Sequence, residues 1–175
     1  MILFFIMMIE NFSNNLISTD TISIVADQLG REPRGLEAIE VSDKSGLPSV
    51  IRVSSLVDKK PFPTMFWLVN KELCYNIDKL EAAGVISEIQ HKIDESKKLQ
   101  SQLFNDHTFY ITLREQNMIP GVKKYLIKHH YYDQLQKRGI GGISNFSRVR
   151  CLHTYYASHL VKSNIIGRII DESYL

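Results

Sequence analysis

The sequence is poor in cysteine, with only Cys74 and Cys151 among its 175 residues. Two cysteines so far apart cannot form the dense disulfide framework of a small secreted domain. The chain also lacks a CxxC pair, the usual anchor of a structural zinc site. These absences disfavour a disulfide-rich secreted domain and a structural zinc protein, and they indicate a reducing, cytoplasmic setting.

Long hydrophobic runs are equally scarce. The apolar stretch 1–9 ends at Glu10 and is well short of the roughly 20 residues that cross a bilayer. It also lacks the positive n-region and small-residue cleavage site of a signal peptide. We therefore expect no stable membrane insertion. We interpret residues 1–19 as a poorly ordered or mis-annotated extension, with Met7 or Met8 as an alternative start, and 20–175 as a single domain.

Several common catalytic motifs are missing from the chain. It has no GxxxxGK[ST] phosphate loop, no GxSxG elbow, no HExxH pair and no GxGxxG directly after a strand. Nucleotide hydrolases and serine hydrolases of the common types are therefore disfavoured. The sequence does not identify a cofactor, and whether the protein is an enzyme stays open at this stage.

The hydrophobic pattern that is present predicts an α+β fold. Residues rich in β-branched side chains flank a polar turn, which predicts a hairpin of Leu36–Ser42 and Ser49–Val57 with Ile51, Val53 and Val57 on its inner face. A third strand is predicted over Thr64–Val69. Helical periodicity then follows from Leu73 onwards. The prediction is a small antiparallel sheet in the N-terminal half, packed with a C-terminal set of helices.

The predicted helices follow from apolar spacing and from breaks at glycine and proline. A short helix ends at Gly30, another at Gly84, and a longer apolar stripe extends from Ile86 to Tyr110. Two further helices are predicted, over Val122–Lys137 and Ser147–Lys162.

Positive charge is concentrated in the C-terminal part of the chain. Between Ile119 and Arg168 there are nine lysines and arginines and a single acidic residue, Asp133, although the whole chain has a net charge of only +2. A bipolar distribution of this kind favours an anionic partner near the basic part.

A glycine-rich turn precedes several arginines in this basic part. Glycines let backbone N–H groups turn toward a ligand, and arginines supply fork-shaped donors, so the segment is suited to phosphate. Two arginines in the proline-containing turn after the first helix are candidates to assist. The predicted ligand-binding residues are Arg31, Arg34, Arg138, Gly141, Gly142, Arg148 and Arg150.

Cys151, His153 and His107 are the candidate catalytic residues. An imidazolium or a helix N-terminus beside a cysteine lowers its pKa and creates a nucleophile. If Ser147–Lys162 is helical, however, Cys151 and His153 point in well-separated directions. The competing interpretation is that Cys151 is a buried small hydrophobe and His153 a hydrogen-bonded histidine at the edge of the core. A metal held by these residues is an alternative, without an anchoring ligand pair, and no metal ligand is assigned.

Six short blocks in order resemble a known bacterial family. The blocks are Leu29–Gly35, Pro61–Thr64, Phe66–Leu68, Leu80–Gly84, Gly139–Gly142 and Val149–His153. Together they resemble the family catalogued as domain of unknown function 501, over about residues 28–167. The resemblance implies no established activity, although the genes of some actinobacterial members neighbour exopolyphosphatase and cell-division genes.

The chain departs from the family pattern at four positions. Family members often have a cysteine–proline pair where this chain has Asn70 and Lys71, and further histidines at the positions of Tyr155 and Ser158. The resemblance therefore implies no metal site on those positions here, whereas His107, Cys151 and His153 match the family pattern.

Three functions remain open from the sequence. The first is a cytoplasmic accessory or regulatory protein that binds a phosphorylated small molecule or polyphosphate. The second is a small enzyme that acts on a phosphorylated substrate through His153 and Cys151. The third is an RNA-associated protein, in which Tyr131 and Tyr132 stack on bases and nearby lysines neutralise phosphates.

Overall fold

The computed structural model describes residues 17–175, and its first element is a helix, α1 (Thr19–Leu29). The Ser18 side chain accepts a hydrogen bond from the Thr21 backbone N–H at 3.1 Å, and Gly30 ends the helix in the left-handed conformation at φ +67°. The predicted helix and its glycine stop are confirmed. Most of the predicted N-terminal extension, residues 1–16, lies outside the described residues.

A three-stranded antiparallel sheet follows, with the strand order β1–β2–β5. It contains β1 (Leu36–Ser42), β2 (Pro48–Val53) and β5 (Phe66–Leu68), and a separate two-stranded ribbon pairs β3 (Leu56–Val57) with β4 (Lys60–Pro61). Ile51 pairs with Ile39 on one side and with Trp67 on the other. The predicted hairpin and third strand are present, but the predicted second strand Ser49–Val57 is wrong at its end, because β2 stops at Val53 and Val57 belongs to the ribbon; β5 is also shorter than expected.

Eight α-helices are present in residues 17–175, which confirms the α+β class. After the sheet they are α2 (Lys71–Ala82), α3 (Val85–Glu95), α4 (Lys97–Asn117), α5 (Pro120–Lys128), α6 (Tyr132–Leu135), α7 (Leu152–Val161) and α8 (Ile165–Ser173), with a 3-10 turn at Ile140–Gly142 before α7. None of these helices is long and apolar enough to cross a membrane.

Both faces of the sheet are buried, because helices pack on each side. Val25 of α1 packs with Ile51, Val53 and Val69 on one face, as predicted for Ile51 and Val53. Val57 packs against the same cluster from the ribbon and not, as predicted, from the hairpin. On the other face, the larger cluster joins residues of β2 and β5 to those of α2, α3, α4, α7 and α8. This second layer brings α2 and α7 together beside β5.

Two predicted helices are interrupted in the structure. The stripe from Ile86 to Tyr110 divides at Ser96, whose extended backbone and side chain cap α4 through the Leu99 N–H at 3.3 Å. The predicted helix Val122–Lys137 divides into α5 and α6, with His130 between them at φ +60°. In both cases the apolar spacing continues across the break, so periodicity alone did not reveal it.

Candidate functional site

The helix that carries His153 begins later than the sequence predicts. The expected helix Ser147–Lys162 is wrong at its N-terminal end, because α7 starts at Leu152 and Cys151 precedes it with extended backbone at φ −106° and ψ 114°. Because Cys151 lies outside α7, the helical geometry that would point its side chain away from that of His153 does not apply. In the structure the Cys151 Sγ lies 4.0 Å from Nδ1 of His153.

Tertiary hydrogen bonds hold the segment before α7 in its extended form. The Gln90 side chain of α3 accepts from the Val149 N–H at 2.9 Å and donates to the Ser147 carbonyl at 3.0 Å. The Tyr155 hydroxyl donates to the Arg148 carbonyl at 3.1 Å. These bonds satisfy backbone groups that a helix would otherwise pair internally, so Cys151 becomes the residue that leads into the helix.

Two carboxylates of α2 complete the surroundings of His153. Glu81 Oε1 lies 3.3 Å from His153 Nδ1 and accepts the Leu152 backbone N–H at 2.6 Å. Asp78 Oδ1 lies 3.3 Å from Nε2, on the opposite side of the ring. Asp78 and Glu81 are three residues apart, so they share one face of α2. Each ring nitrogen of His153 therefore has a carboxylate partner.

This arrangement places three different metal-ligand types together. One ligand atom each from Glu81, Cys151 and His153 lies within 4.8 Å of the other two. All three residues are partly buried, and Asp78 is more exposed, at 68% of its side chain. The set combines a carboxylate, a thiol and an imidazole around Nδ1. We call these three residues the α2–α7 cluster.

The electrostatic environment favours the charged form of His153. Its pKa is raised to about 9, first by the interaction with Cys151 and then by the negative charge of Glu81, while partial burial acts in the opposite direction. An imidazolium is therefore the neutral-pH state of His153 in the absence of a metal. A metal cation that replaced the Nδ1 proton of His153 would lie beside Cys151 and Glu81, whose interactions already favour positive charge at this position.

A cleft of about 280 Å³ opens beside His153, between β5 and the start of α7. Its lining is mainly apolar and aromatic, with two hydroxyl side chains. The lining residues are Phe62, Thr64, Phe66, Trp67, Leu68, His153 and Thr154. His153 therefore belongs both to the α2–α7 cluster and to the wall of the cleft.

His107, the third predicted catalytic residue, lies in the core of the protein. It is fully buried, its Nδ1 accepts the Ile140 N–H at 3.0 Å, and its Nε2 lies 3.1 Å from the Tyr155 hydroxyl. Because Nδ1 accepts, Nε2 carries the proton and donates to Tyr155. Burial lowers the pKa of His107 to about 4. The structure does not bring His107 into the α2–α7 cluster.

Tight packing accounts for the glycines of the turn at 139–142. A Cβ on Gly139 would lie 2.3 Å from the His107 ring, one on Gly141 would lie 2.7 Å from Thr154 Oγ1, and one on Gly142 would lie 2.8 Å from the Pro63 ring. Gly141 and Gly142 also have positive φ, near +70°. Close backbone packing thus gives these glycines a structural role that the sequence interpretation did not include.

The predicted arginines fall into separate groups. Arg148 and Arg150 are exposed on either side of buried Val149 and line a cleft of about 440 Å³ together with part of α3. Arg138 is exposed. The two remaining residues lie elsewhere: the Arg31 guanidinium stacks over Trp67 at 4.7 Å from the ring centroid, and Arg34 pairs with Asp58 at 2.9 Å.

Glu81 and Asp78 are the site residues that sequence reasoning missed. Glu81 stands in the Leu80–Gly84 block, and the pair has the i, i+3 spacing of neighbours on one helix face. That spacing is common on solvated helices. Only the packing of α2 against α7 shows that both carboxylates reach the same imidazole.

Comparison with known proteins gives one match. Residues 39–172 match the family described as "Protein of unknown function (DUF501)". No curated protein and no solved structure matches the chain.

Proposed function

Because this chain belongs to the DUF501 family, whose description names no activity, we propose a function from its own residues: it is a zinc-dependent enzyme of hydrolytic type. Its metal centre is the α2–α7 cluster. The observation that carries the proposal is that ligand atoms of Glu81, Cys151 and His153 lie within 4.8 Å of one another.

The distances within the cluster suit zinc. Tetrahedral bonds of about 2.0–2.3 Å place neighbouring ligand atoms roughly 3.3–3.8 Å apart. The Glu81–His153 and Cys151–His153 distances are 3.3 and 4.0 Å. A mixed set of sulfur, nitrogen and oxygen ligands is also the donor chemistry that zinc accepts in proteins. Small side-chain rotations would therefore close the site around the ion.

Asp78 supplies the support that metal-bound histidines commonly have. Its carboxylate faces Nε2 of His153, the ring nitrogen that points away from Cys151 and Glu81. A carboxylate on that nitrogen fixes the ring orientation and raises the basicity of the nitrogen that binds the metal. The Asp78 carboxylate thus lies on one side of the His153 imidazole, and the proposed metal position lies on the other side, between Nδ1, Cys151 and Glu81.

Three protein ligands leave one tetrahedral position open, as in catalytic zinc sites. Zinc held by Glu81, Cys151 and His153 would supply an activated water as the nucleophile at neutral pH. The cleft next to His153 offers a place for a substrate beside this position. Hydrolysis is the reaction that a zinc-bound water and an adjoining apolar cleft most directly support.

The first experiment measures zinc affinity of the metal-stripped protein by competition with a chromogenic chelator. We expect one equivalent of zinc in the wild type and at least about 100-fold weaker binding in Cys151→Ser. Cys74→Ser is the matched control, because Cys74 Sγ donates to the Leu68 carbonyl and stands outside the cluster. Equal affinity of the wild type and Cys151→Ser would contradict the proposal.

The second experiment measures turnover of p-nitrophenyl acetate and p-nitrophenyl phosphate. Hydrolysis of one of them should disappear when zinc is removed, return when zinc is restored, and be absent from Cys151→Ser. Zinc that binds but supports no hydrolysis of either compound would argue for a structural metal and against the enzymatic part of the proposal.

An anion-binding role at Arg148 and Arg150 is a second candidate, supported by a different observation. The two arginines are exposed on either side of buried Val149, in a segment whose backbone Gln90 and Tyr155 hold by hydrogen bonds. Neither arginine has a carboxylate within ion-pair distance among residues 17–175. The pair is thus positioned for a phosphate or polyphosphate.

Thermal stability with tripolyphosphate and with single-stranded RNA, at low and moderate salt, tests this second candidate. We expect stabilisation by tripolyphosphate that is lost in Arg148→Ala/Arg150→Ala. It should be kept in Arg34→Ala, whose guanidinium is already paired with Asp58. If tripolyphosphate stabilised the double variant as much as the wild type, the segment would be excluded as the anion-binding site. Stabilisation by RNA alone that falls steeply with salt would favour the RNA-associated alternative instead.

A further inference from the structure

The cleft beside the α2–α7 cluster has two chemically different ends. One end is formed by His153, and the apolar wall beyond it includes the Phe62 and Trp67 side chains. The Phe62 and Trp67 rings lie 5.7 Å apart at an angle of 51°. Tilted aromatic rings of this kind present both ring edges and ring faces to a neighbouring apolar group. The wall therefore suits the apolar body of a small molecule.

Arg31 does not line the cleft itself, but it adds a positive charge next to Trp67, which does. Its guanidinium lies 4.7 Å from the centroid of the Trp67 ring, while the residue as a whole is exposed. Among residues 17–175 no carboxylate lies within ion-pair distance of it. A guanidinium stacked on an aromatic ring keeps its in-plane N–H donors available for an anion.

The backbone that carries Arg31 is fixed. The Arg31 N–H donates to the Ala26 carbonyl at 3.1 Å, and the Gly30 N–H donates to the Asp27 carbonyl at 3.3 Å, which closes the C-terminus of α1. Pro33 follows and is buried. An arginine on such a rigid turn loses little backbone entropy when it binds a ligand.

From these positions we infer that the cleft binds a small organic anion with an aromatic or aliphatic body. The body lies on Phe62 and Trp67, the anionic group is paired with Arg31, and the opposite end faces His153. The binding itself does not depend on the proposed function. The inference rests on the proposed function only where the bound molecule is taken to be the substrate of the enzyme. The volume of about 280 Å³ is at the lower end of ligand pockets, so the molecule is small.

The chain contains a single tryptophan, Trp67, which makes the binding directly measurable. The probe is 3-phenylpropionate, compared with its neutral counterpart 3-phenyl-1-propanol and with acetate, which has the charge without the body. Trp67 emission is titrated in the metal-stripped protein. We expect saturable changes with the two phenyl compounds, about 10-fold tighter binding of the carboxylate, and no saturation with acetate in the same range.

Substitutions of two arginines separate the contribution of charge from that of the apolar wall. Arg31→Met should reduce the affinity for 3-phenylpropionate to that for the alcohol and leave the alcohol affinity unchanged. Arg34→Met is the matched control, because Arg34 pairs with Asp58, and should change neither affinity. Phe62→Ala should weaken both phenyl compounds alike.

The inference is overturned if the acid and the alcohol bind equally, if Arg31→Met binds the acid as tightly as the wild type does, or if neither compound saturates Trp67 emission. These outcomes are independent of the zinc proposal, because the titration contains no metal. Conversely, Cys151→Ser should retain 3-phenylpropionate binding even though it loses zinc.

Discussion

The carboxylate of Asp78 lies 3.3 Å from Nε2 of His153, across the ring from the nitrogen that faces Cys151 and Glu81. This relationship assigns a separate task to each ring nitrogen. Nε2 faces the Asp78 carboxylate at ion-pair distance, and Nδ1 is directed at the thiol and the second carboxylate. The imidazole therefore has the orientation that a metal ligand requires, with a carboxylate beside its outer nitrogen.

Removing the charge of Asp78 should weaken zinc binding without destroying the site. In Asp78→Asn we expect zinc affinity to fall about 10- to 100-fold, because the outer carboxylate no longer orients His153. Competition with a chelator measures the change. Asp133→Asn, an exposed aspartate of α6, is the control and should bind zinc like the wild type. Equal zinc affinities of Asp78→Asn and Asp133→Asn would show that Asp78 does not support zinc binding.

Gly141→Ala should destabilise the fold by more than about 1 kcal/mol. The backbone at Gly141 has φ +67°, and the added Cβ would lie 2.7 Å from Thr154 Oγ1. Gly121→Ala provides the contrast, since Gly121 lies in α5 and a Cβ there meets nothing within 4 Å. That variant should be neutral or stabilised by up to about 1 kcal/mol. Urea unfolding measures both. A stable Gly141→Ala protein would mean that the turn relaxes and that packing does not require its glycine.

Acid should destabilise the protein partly through His107. Its folded-state pKa is about 4, below the ordinary histidine value of 6.5, so the unfolded chain binds a proton over this interval that the folded protein excludes. The contribution is complete above about pH 6.5 and is lost as the pH falls toward 4. It reaches at most about 3 kcal/mol, from 1.36 kcal/mol per pKa unit.

The comparison with His107→Asn isolates this contribution, because the asparagine keeps an acceptor near Ile140 and does not titrate. The variant is less stable at pH 7, and the free energy of unfolding of the wild type should approach that of the variant as the pH is lowered from 7 to 4. Parallel pH profiles of the two proteins would show that His107 does not titrate differently on folding.

Much of the fold follows from the sequence because its local signals agree with its packing. The β-branched hairpin and the Gly30 stop of α1 required no tertiary information. The start of α7 did require it: the apolar spacing continues back to Val149, but Gln90 of α3 binds the backbone of that segment and keeps it extended. Contacts between residues 59 positions apart leave no periodic signal in the sequence.

The candidate site shows the same limit. Cys151 and His153 could be selected from the sequence as reactive residue types close together in the chain. Glu81 could not, because it joins them only through the packing of α2 against α7, where its carboxylate accepts the Leu152 N–H. Arg31 was selected for its charge, but its position on Trp67 depends on how α1 packs against the sheet.

X-ray absorption spectroscopy of the zinc-loaded protein identifies the atoms bound to the metal. We expect one sulfur at about 2.3 Å from the metal and nitrogen or oxygen ligands at about 2.0–2.2 Å. Cys151→Ser should lose the sulfur shell, and Cys74→Ser should keep it. A spectrum without sulfur, or a sulfur shell that disappears in Cys74→Ser and persists in Cys151→Ser, would contradict the α2–α7 cluster as the metal centre.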